Sequence, residues 1–140
     1  MHVEKYSAIE WSTMGEWAHR YCFNEIRPSQ MNRIDYALLA VKDGVPQAYL
    51  TARELDSESV YWQYGGALKS SEKSVNVLKA YQSFIETTKQ SGMKRITTLI
   101  QNTNLPMLKM AMHCGFRIIG VRLFNNEIFC ELLNEFAGEK

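Results

Sequence analysis

The chain has almost no net charge, few cysteines and prolines, and no long apolar run. Its 16 basic residues are balanced by 15 acidic ones, leaving a formal net charge of +1 over 140 residues. That balance gives no electrostatic footprint for nucleic acid or an anionic membrane, so neither is expected as a partner. No apolar run approaches the ~20 residues of a membrane-spanning helix. Met1-His-Val-Glu-Lys5 lacks the apolar stretch of a signal peptide, and a cytoplasmic location is expected. Three cysteines, Cys22, Cys114 and Cys130, are odd in number, widely spaced and set among apolar residues, which fits reduced core thiols better than a disulfide framework. His113 stands beside Cys114, but adjacent residues on a helix point apart. His2 and His19 are scattered, and no metal site is expected. Repeats, low-complexity segments and linkers are also missing. The length suits a single domain spanning residues 1–140.

What is present is periodicity broken by turn residues. Val3 to Trp11 mixes apolar and polar residues as a strand does. Thr13-Met-Gly-Glu16 fits a capping box, and Met14, Trp17, Ala18 and Tyr21 then share one helical face. Asn24 to Asp35 is polar, contains Pro28, and is predicted as a loop or short irregular helix. Tyr36 to Lys42 reads as a buried strand. Asp43-Gly44 is a two-residue hairpin turn, because both positions tolerate positive φ, and Val45 to Leu55 is the return strand with Pro46 at its start. After the polar turn Asp56-Ser-Glu58, Val60 to Leu68 is the third strand of a meander. Its Gly65-Gly66 pair marks a bulge or the close approach of another backbone or a ligand. Trp11, Trp17 and Trp62 read as packing residues.

Lys69 to Ser74 is a polar loop. The helix after it puts Val77, Tyr81, Phe84 and Thr88 on one face, with Val75, Leu78 and Ile85 beside them, and Gly92 fits its C-terminal cap. A strand from Ile96 to Ile100 follows. Asn104 then caps a helix with Pro106 in its first turn, where no needed donor is lost, and Met107, Met110, Ala111 and Cys114 form one apolar stripe. Gly115 stops that helix and Phe116 leads into the next strand. Ile118 to Phe124 and Ile128 to Leu133 flank Asn125-Asn126 and close a final hairpin. The predicted order is β-α-loop-β-β-β-α-β-α-β-β, an α/β domain built on one sheet.

That order, together with Asn104 before the last helix and Gly115-Phe116 after it, resembles the GNAT acyl-CoA-dependent N-acetyltransferases from end to end. The resemblance implies a mixed, mostly antiparallel sheet flanked by helices, acetyl-CoA as co-substrate, and a small-molecule or peptide amine as acceptor. It also implies where the chemistry sits. The strand Gln63-Tyr-Gly-Gly-Ala-Leu68 would splay, offer a backbone N–H to the thioester carbonyl and pair with the pantetheine arm. Gly66, Tyr64 and the carboxylate Glu54 are therefore the candidate catalytic positions, and Ala67, Leu68, Lys69, Ser71, Lys73, Ser74 and Asn104 the candidate CoA contacts.

Two positions depart from the family pattern. The diphosphate loop of the family is glycine-rich at the start of the central helix, where backbone N–H groups and the helix dipole attract phosphate. The matching segment here, Lys69 to Val77, contains no glycine, so its lysines and serines carry the expected phosphate contact. Many members also place a tyrosine seven residues after the Asn, as proton donor to the leaving thiolate. Ala111 stands there, with His113 and Cys114 turned away by helical spacing. Arg27 and Arg33 fall where the family often builds its acceptor site. These features leave two readings open: an N-acyltransferase, or a GNAT-like domain without catalysis that serves binding or assembly, as among phage components. An exposed strand in the C-terminal hairpin would allow a homodimer.

Overall fold

The turn residues mark the strand boundaries. In the computed structural model, which describes residues 1–11, 34–67 and 75–136, Asp43 and Gly44 both take positive φ, 53° and 76°, and join β2 (Tyr36–Lys42) to β3 (Val45–Glu54). Asn125 and Asn126, at 51° and 63°, join β6 (Arg117–Phe124) to β7 (Glu127–Glu135) in the same way. Between these hairpins lie β4 (Ser59–Ala67), α1 (Val75–Gln90), β5 (Arg95–Gln101) and α2 (Leu105–His113). β1 (His2–Ser7) opens the chain. Gly92, at φ 95°, ends α1 as expected. The helix predicted over Met14 to Tyr21, the loop after it, and Trp17, Cys22, Arg27 and Arg33 lie outside the described residues.

The first strand is shorter than the alternation suggested. Helix geometry begins at Ala8, because Ser7 and Glu10 form a capping box. The Ser7 N–H donates to Glu10 Oε1 at 2.8 Å and the Glu10 N–H donates to Ser7 Oγ at 3.2 Å. The strand alternation of Val3 to Trp11 therefore overran a Ser-x-x-Glu signal that was legible in the sequence.

The seven described strands form one sheet in the order β1-β2-β3-β4-β5-β7-β6. Every neighbouring pair is antiparallel except β4 with β5. The sheet is thus mixed and mostly antiparallel, as the resemblance implied. A parallel neighbour needs a crossover, and α1 supplies it.

One core lies between the sheet and the helices. Leu38, Leu50, Val60, Trp62, Ile96 and Leu132 meet Val77, Ala80, Phe84 and Leu108 there. A second cluster, Trp11, Ile34, Ala37, Leu39, Val41 and Tyr49, covers the opposite face of β2 and β3. β2 is consequently buried on both faces, which explains its unbroken apolar run. The α2 stripe behaves differently from expectation. Leu108 and Ala111 are the buried residues of that helix, whereas Met107, Met110 and Cys114 are only partly covered. No described helix is long and apolar enough to cross a membrane.

Candidate active site

A gap in the middle of the sheet creates the site. β4 and β5 pair only from Ser59–Trp62 to Arg95–Thr98. The last link is Thr98 Oγ1, which donates to the Trp62 carbonyl at 3.0 Å. Past that point β5 runs on with β7, and β4 runs on with β3. The edge of β4 from Gln63 onward therefore lacks a strand partner on its β5 side. An unpaired edge in the centre of a sheet presents backbone N–H and C=O groups to whatever enters.

The strand also bulges at the split. Thr51 pairs with Tyr64 and Ala52 with Trp62, so Gln63 faces no residue of β3. The bulge sits two residues before the glycine pair rather than on it. The other expectation for those glycines, close approach, describes Gly65. A Cβ there would lie 3.1 Å from Tyr81 Oη and 3.2 Å from the Tyr49 carbonyl oxygen, tighter than ordinary contact on both sides.

α1 and α2 wall the gap and turn it into a cleft of about 940 Å³, within the range of small-molecule sites. Its β4 wall is Trp62, Gln63, Gly65 and Gly66. Tyr81 and Ile85 face it from α1, and Met107, Met110 and Ala111 from α2. The lining is mostly apolar, yet two buried polar atoms in it have no partner: Trp62 Nε1, a donor, and Gln63 Oε1, an acceptor. Buried polar groups left unpaired are costly.

The far end of α2 is fixed from β7. Asn134, itself buried, donates through Nδ2 to the Cys114 carbonyl at 3.1 Å. Gly115 follows at φ 99°, and the Phe116 N–H closes back on the Ala111 carbonyl at 3.0 Å. This C-cap sets where Ala111 and Phe116 meet the cleft. At the other end, Asn104 Oδ1 accepts from the Met107 N–H at 3.4 Å, a long N-cap bond.

Two groups in the wall, Tyr81 and Cys114, are pushed toward their neutral forms. Burial pushes the Tyr81 phenol well above its ordinary value, with Tyr49 and Cys114 nearby adding to the effect. Burial likewise pushes the Cys114 thiol up, so it stands as a thiol and a weak nucleophile. Cys114 and Cys130 are both free and only half-buried, at the margin of the core rather than inside it.

The expected site residues divide three ways. Gly66 and Asn104 line the cleft, and Ala111 is buried in its wall. Tyr64 and Ala67 belong to the bordering strand, their backbones opposite Thr51 and Ala48; their side chains, together with Leu68, Lys69, Ser71, Lys73 and Ser74, lie outside the described part. Glu54 is exposed opposite Val60, toward the other end of β4, and is not among the residues lining the cleft. His113 and Cys114, expected to turn away from Ala111, line the same cleft. The end of the helix opens onto the gap, so spacing within α2 alone misplaced them.

No protein-family model matches the sequence, and no curated protein matches it by sequence. Structures do match. The ribosomal-protein-S18-alanine N-acetyltransferase from Escherichia coli superposes with a TM-score of 0.74 at 8% identity, over 99% of this chain and 96% of that one. An IAA acetyltransferase from Bacillus cereus gives 0.71 at 15% identity, over 95% and 97%. A GNAT family acetyltransferase from Elizabethkingia anophelis, solved with acetyl-CoA bound, gives 0.63 at 16% identity, over 71% and 75%. The fold is that of the GNAT acetyltransferases. At such identities the likeness is one of architecture. Within this GNAT fold, Trp62 and Tyr81 line the cleft although the sequence read them only as packing residues, and the bulge at Gln63 follows from a register shift opposite Thr51 that no local pattern carries.

Proposed function

We propose that this chain is an acyl-CoA-dependent N-acyltransferase that moves an acetyl group to an amine. One observation carries the reading: the bulged, unpaired edge of β4 from Gln63 onward, opening into the cleft walled by α1 and α2. A pantetheine arm fits that edge. It is an extended chain with two amides, so it adds to β4 as a strand would. Its N–H groups and carbonyls suit the backbone groups of β4 from Gln63 onward, which have no strand partner on the β5 side. Gly66 lines the cleft beside it, with no side chain in the way. The Elizabethkingia structure with acetyl-CoA bound supports the same class of ligand.

When bound, acetyl-CoA supplies the activated acyl group. The chain's own part is to hold and polarise it. The backbone at the Gln63 bulge, near Tyr64 and Gly66, is proposed to donate an N–H to the thioester oxygen, which becomes more negative as the amine attacks. Lys69, Ser71, Lys73 and Ser74, just before α1, are proposed to bind the diphosphate with the help of the helix N-terminus. Ala67 and Leu68 continue the pairing edge, and Asn104 is proposed to meet the ligand from α2. The acceptor is a small-molecule or peptide amine; the E. coli and B. cereus proteins, by their names, acetylate quite different acceptors.

Calorimetric titration with acetyl-CoA tests the reading. Micromolar binding that weakens at least tenfold in a Lys73→Ala/Ser74→Ala variant is expected. An absence of binding at millimolar ligand would sink it. A thiol-release screen over amines, amino acids and peptide N-termini then identifies the acceptor.

A second copy of the chain is the proposed partner of β6. This edge strand exposes Ile118, Ile119, Val121, Leu123 and Phe124, and carries no lysine or proline to block pairing. Its two cations are already matched: Arg122 by Glu131 at 2.9 Å and Arg117 by Glu135 at 3.6 Å. No unbalanced charge therefore faces a two-fold related copy. Sedimentation should find a dimer that Val121→Glu/Leu123→Lys converts to monomer, while a wild-type monomer at high micromolar concentration would refute the pairing.

A further inference from the structure

Ala111 carries no proton-bearing side chain at its place in the α2 wall, and a hydroxyl faces the cleft from α1. Tyr81 projects from α1 with only 7% of its surface exposed, yet it lines the cleft. Its hydroxyl lies 3.1 Å from the point where a Gly65 Cβ would stand, so it reaches the unpaired edge of β4 just past the Gln63 bulge. Among the described residues, no hydrogen bond occupies that hydroxyl. The ring is held in place by packing edge-on to Phe84, with centroids 5.4 Å apart, and tilted against Trp62 at 6.4 Å. The hydroxyl therefore stands over the unpaired stretch of β4, two residues past the bulge where the acyl-CoA reading above would put the thioester.

We infer that the Tyr81 hydroxyl donates a hydrogen bond to the sulfur of the bound thioester and stabilises the thiolate as it leaves. This inference rests on the acyl-CoA reading. The amine nitrogen attacks the carbonyl carbon, the C–S bond breaks, and its electron pair stays on sulfur. The surplus proton on nitrogen leaves to solvent and the thiolate takes one from solvent, so one proton passes in net terms from nitrogen to sulfur. Tyr81 keeps its own proton throughout. A phenol held protonated by burial suits that role: it is a donor at every working pH, and it lies too far above a thiol to surrender its proton. The Trp62 ring, packed among Tyr81, Phe84 and Phe116, holds the phenol in place.

The test compares CoA with desulfo-CoA, which lacks the sulfur, by calorimetry on the wild type and on Tyr81→Phe from about pH 7 to about pH 9.5, a range that spans thiol ionisation. Phenylalanine keeps the packing against Trp62 and Phe84 and removes only the hydroxyl. In the wild type, CoA should gain on desulfo-CoA as its thiol ionises, because the thiolate accepts the bond. The CoA to desulfo-CoA affinity ratio at high pH should exceed that of Tyr81→Phe by about tenfold, as for a hydrogen bond to a charged group. Burial of the sulfur opposes ionisation in both proteins and cancels. Desulfo-CoA should bind both equally, which also shows that the variant is folded. An equal ratio in the two proteins at every pH would overturn the role of Tyr81 and leave the acyl-CoA reading standing. If the wild type binds neither ligand, both fall.

Discussion

Replacing Asn134 by aspartate exchanges one atom and tests how the α2 wall of the cleft is held. Asn134 is buried on β7, and its Nδ2 donates to the Cys114 carbonyl at 3.1 Å. Aspartate has no N–H. As a carboxylate it would turn an acceptor toward an acceptor in a desolvated place. Leaving the carbonyl unpaired costs about 1–3 kcal/mol, and the buried charge adds to that, so a total near 3 kcal/mol is expected at neutral pH. For a chain of this length that is roughly a 9–15 °C fall in melting temperature. The sign of the pH dependence follows from the same geometry. Burial raises the folded-state pKa of the introduced carboxyl above the ordinary ~3.9, so protonation favours the folded state. The protonated acid also regains an O–H donor for the Cys114 carbonyl. The deficit relative to wild type at the same pH should therefore be small, about 1 kcal/mol or less, near pH 4, and should grow as pH rises through the raised folded pKa. Urea unfolding of both proteins at about pH 4 and about pH 7 measures it. Asn134→Leu supplies the contrast, a deficit of about 1–2 kcal/mol with no pH dependence. An aspartate variant with equal deficits at the two pH values, or none at neutral pH, would refute the clamp.

Other substitutions test neighbouring features. Gly115→Ala forces a side chain onto φ 99° and should cost about 1–2 kcal/mol by denaturant unfolding. Asn104→Ala should cost only about 0.5 kcal/mol, because its cap bond is long at 3.4 Å. Phe84→Ala empties a fully buried site beneath Trp62 and Tyr81 and should cost about 3–5 kcal/mol. The Glu58 carboxyl is held below its ordinary value by the Lys94 ammonium at 2.6 Å, with Arg95 behind it. Its small contribution should be present above the ordinary carboxylate pKa and lost as pH falls through the lowered one, so Glu58→Gln should lower the melting temperature slightly at neutral pH and not in acid.

The strands and turns were legible because local chemistry decides them. Asp43-Gly44 and Asn125-Asn126 sit at positive φ where few other residues do so cheaply, and Gly92 and Gly115 end their helices for the same reason. The double burial of β2 was legible in its apolar run. The Ser7–Glu10 capping box was equally local, but the alternation beside it hid it. The site was less legible, because it is made by register. Nothing in Trp62-Gln-Tyr-Gly65 says that Gln63 bulges; that follows from the pairing of Thr51 with Tyr64 and Ala52 with Trp62. Nor does the α1 periodicity say that Tyr81, a core residue by spacing, ends at the open edge of β4. The Met107, Met110 and Cys114 stripe was read correctly as apolar, but the split in the sheet leaves it facing a cleft. Long-range pairing set these outcomes.

Amide hydrogen exchange with and without acetyl-CoA addresses the central claim most directly, since it reports both binding and place. If the cleft between β4 and β5 holds the pantetheine arm, acetyl-CoA will slow exchange at Gln63 to Ala67 and at the start of α1, and will leave β1, β2 and the β6–β7 hairpin unchanged. Protection confined to other elements, or no change at saturating ligand, would contradict the account.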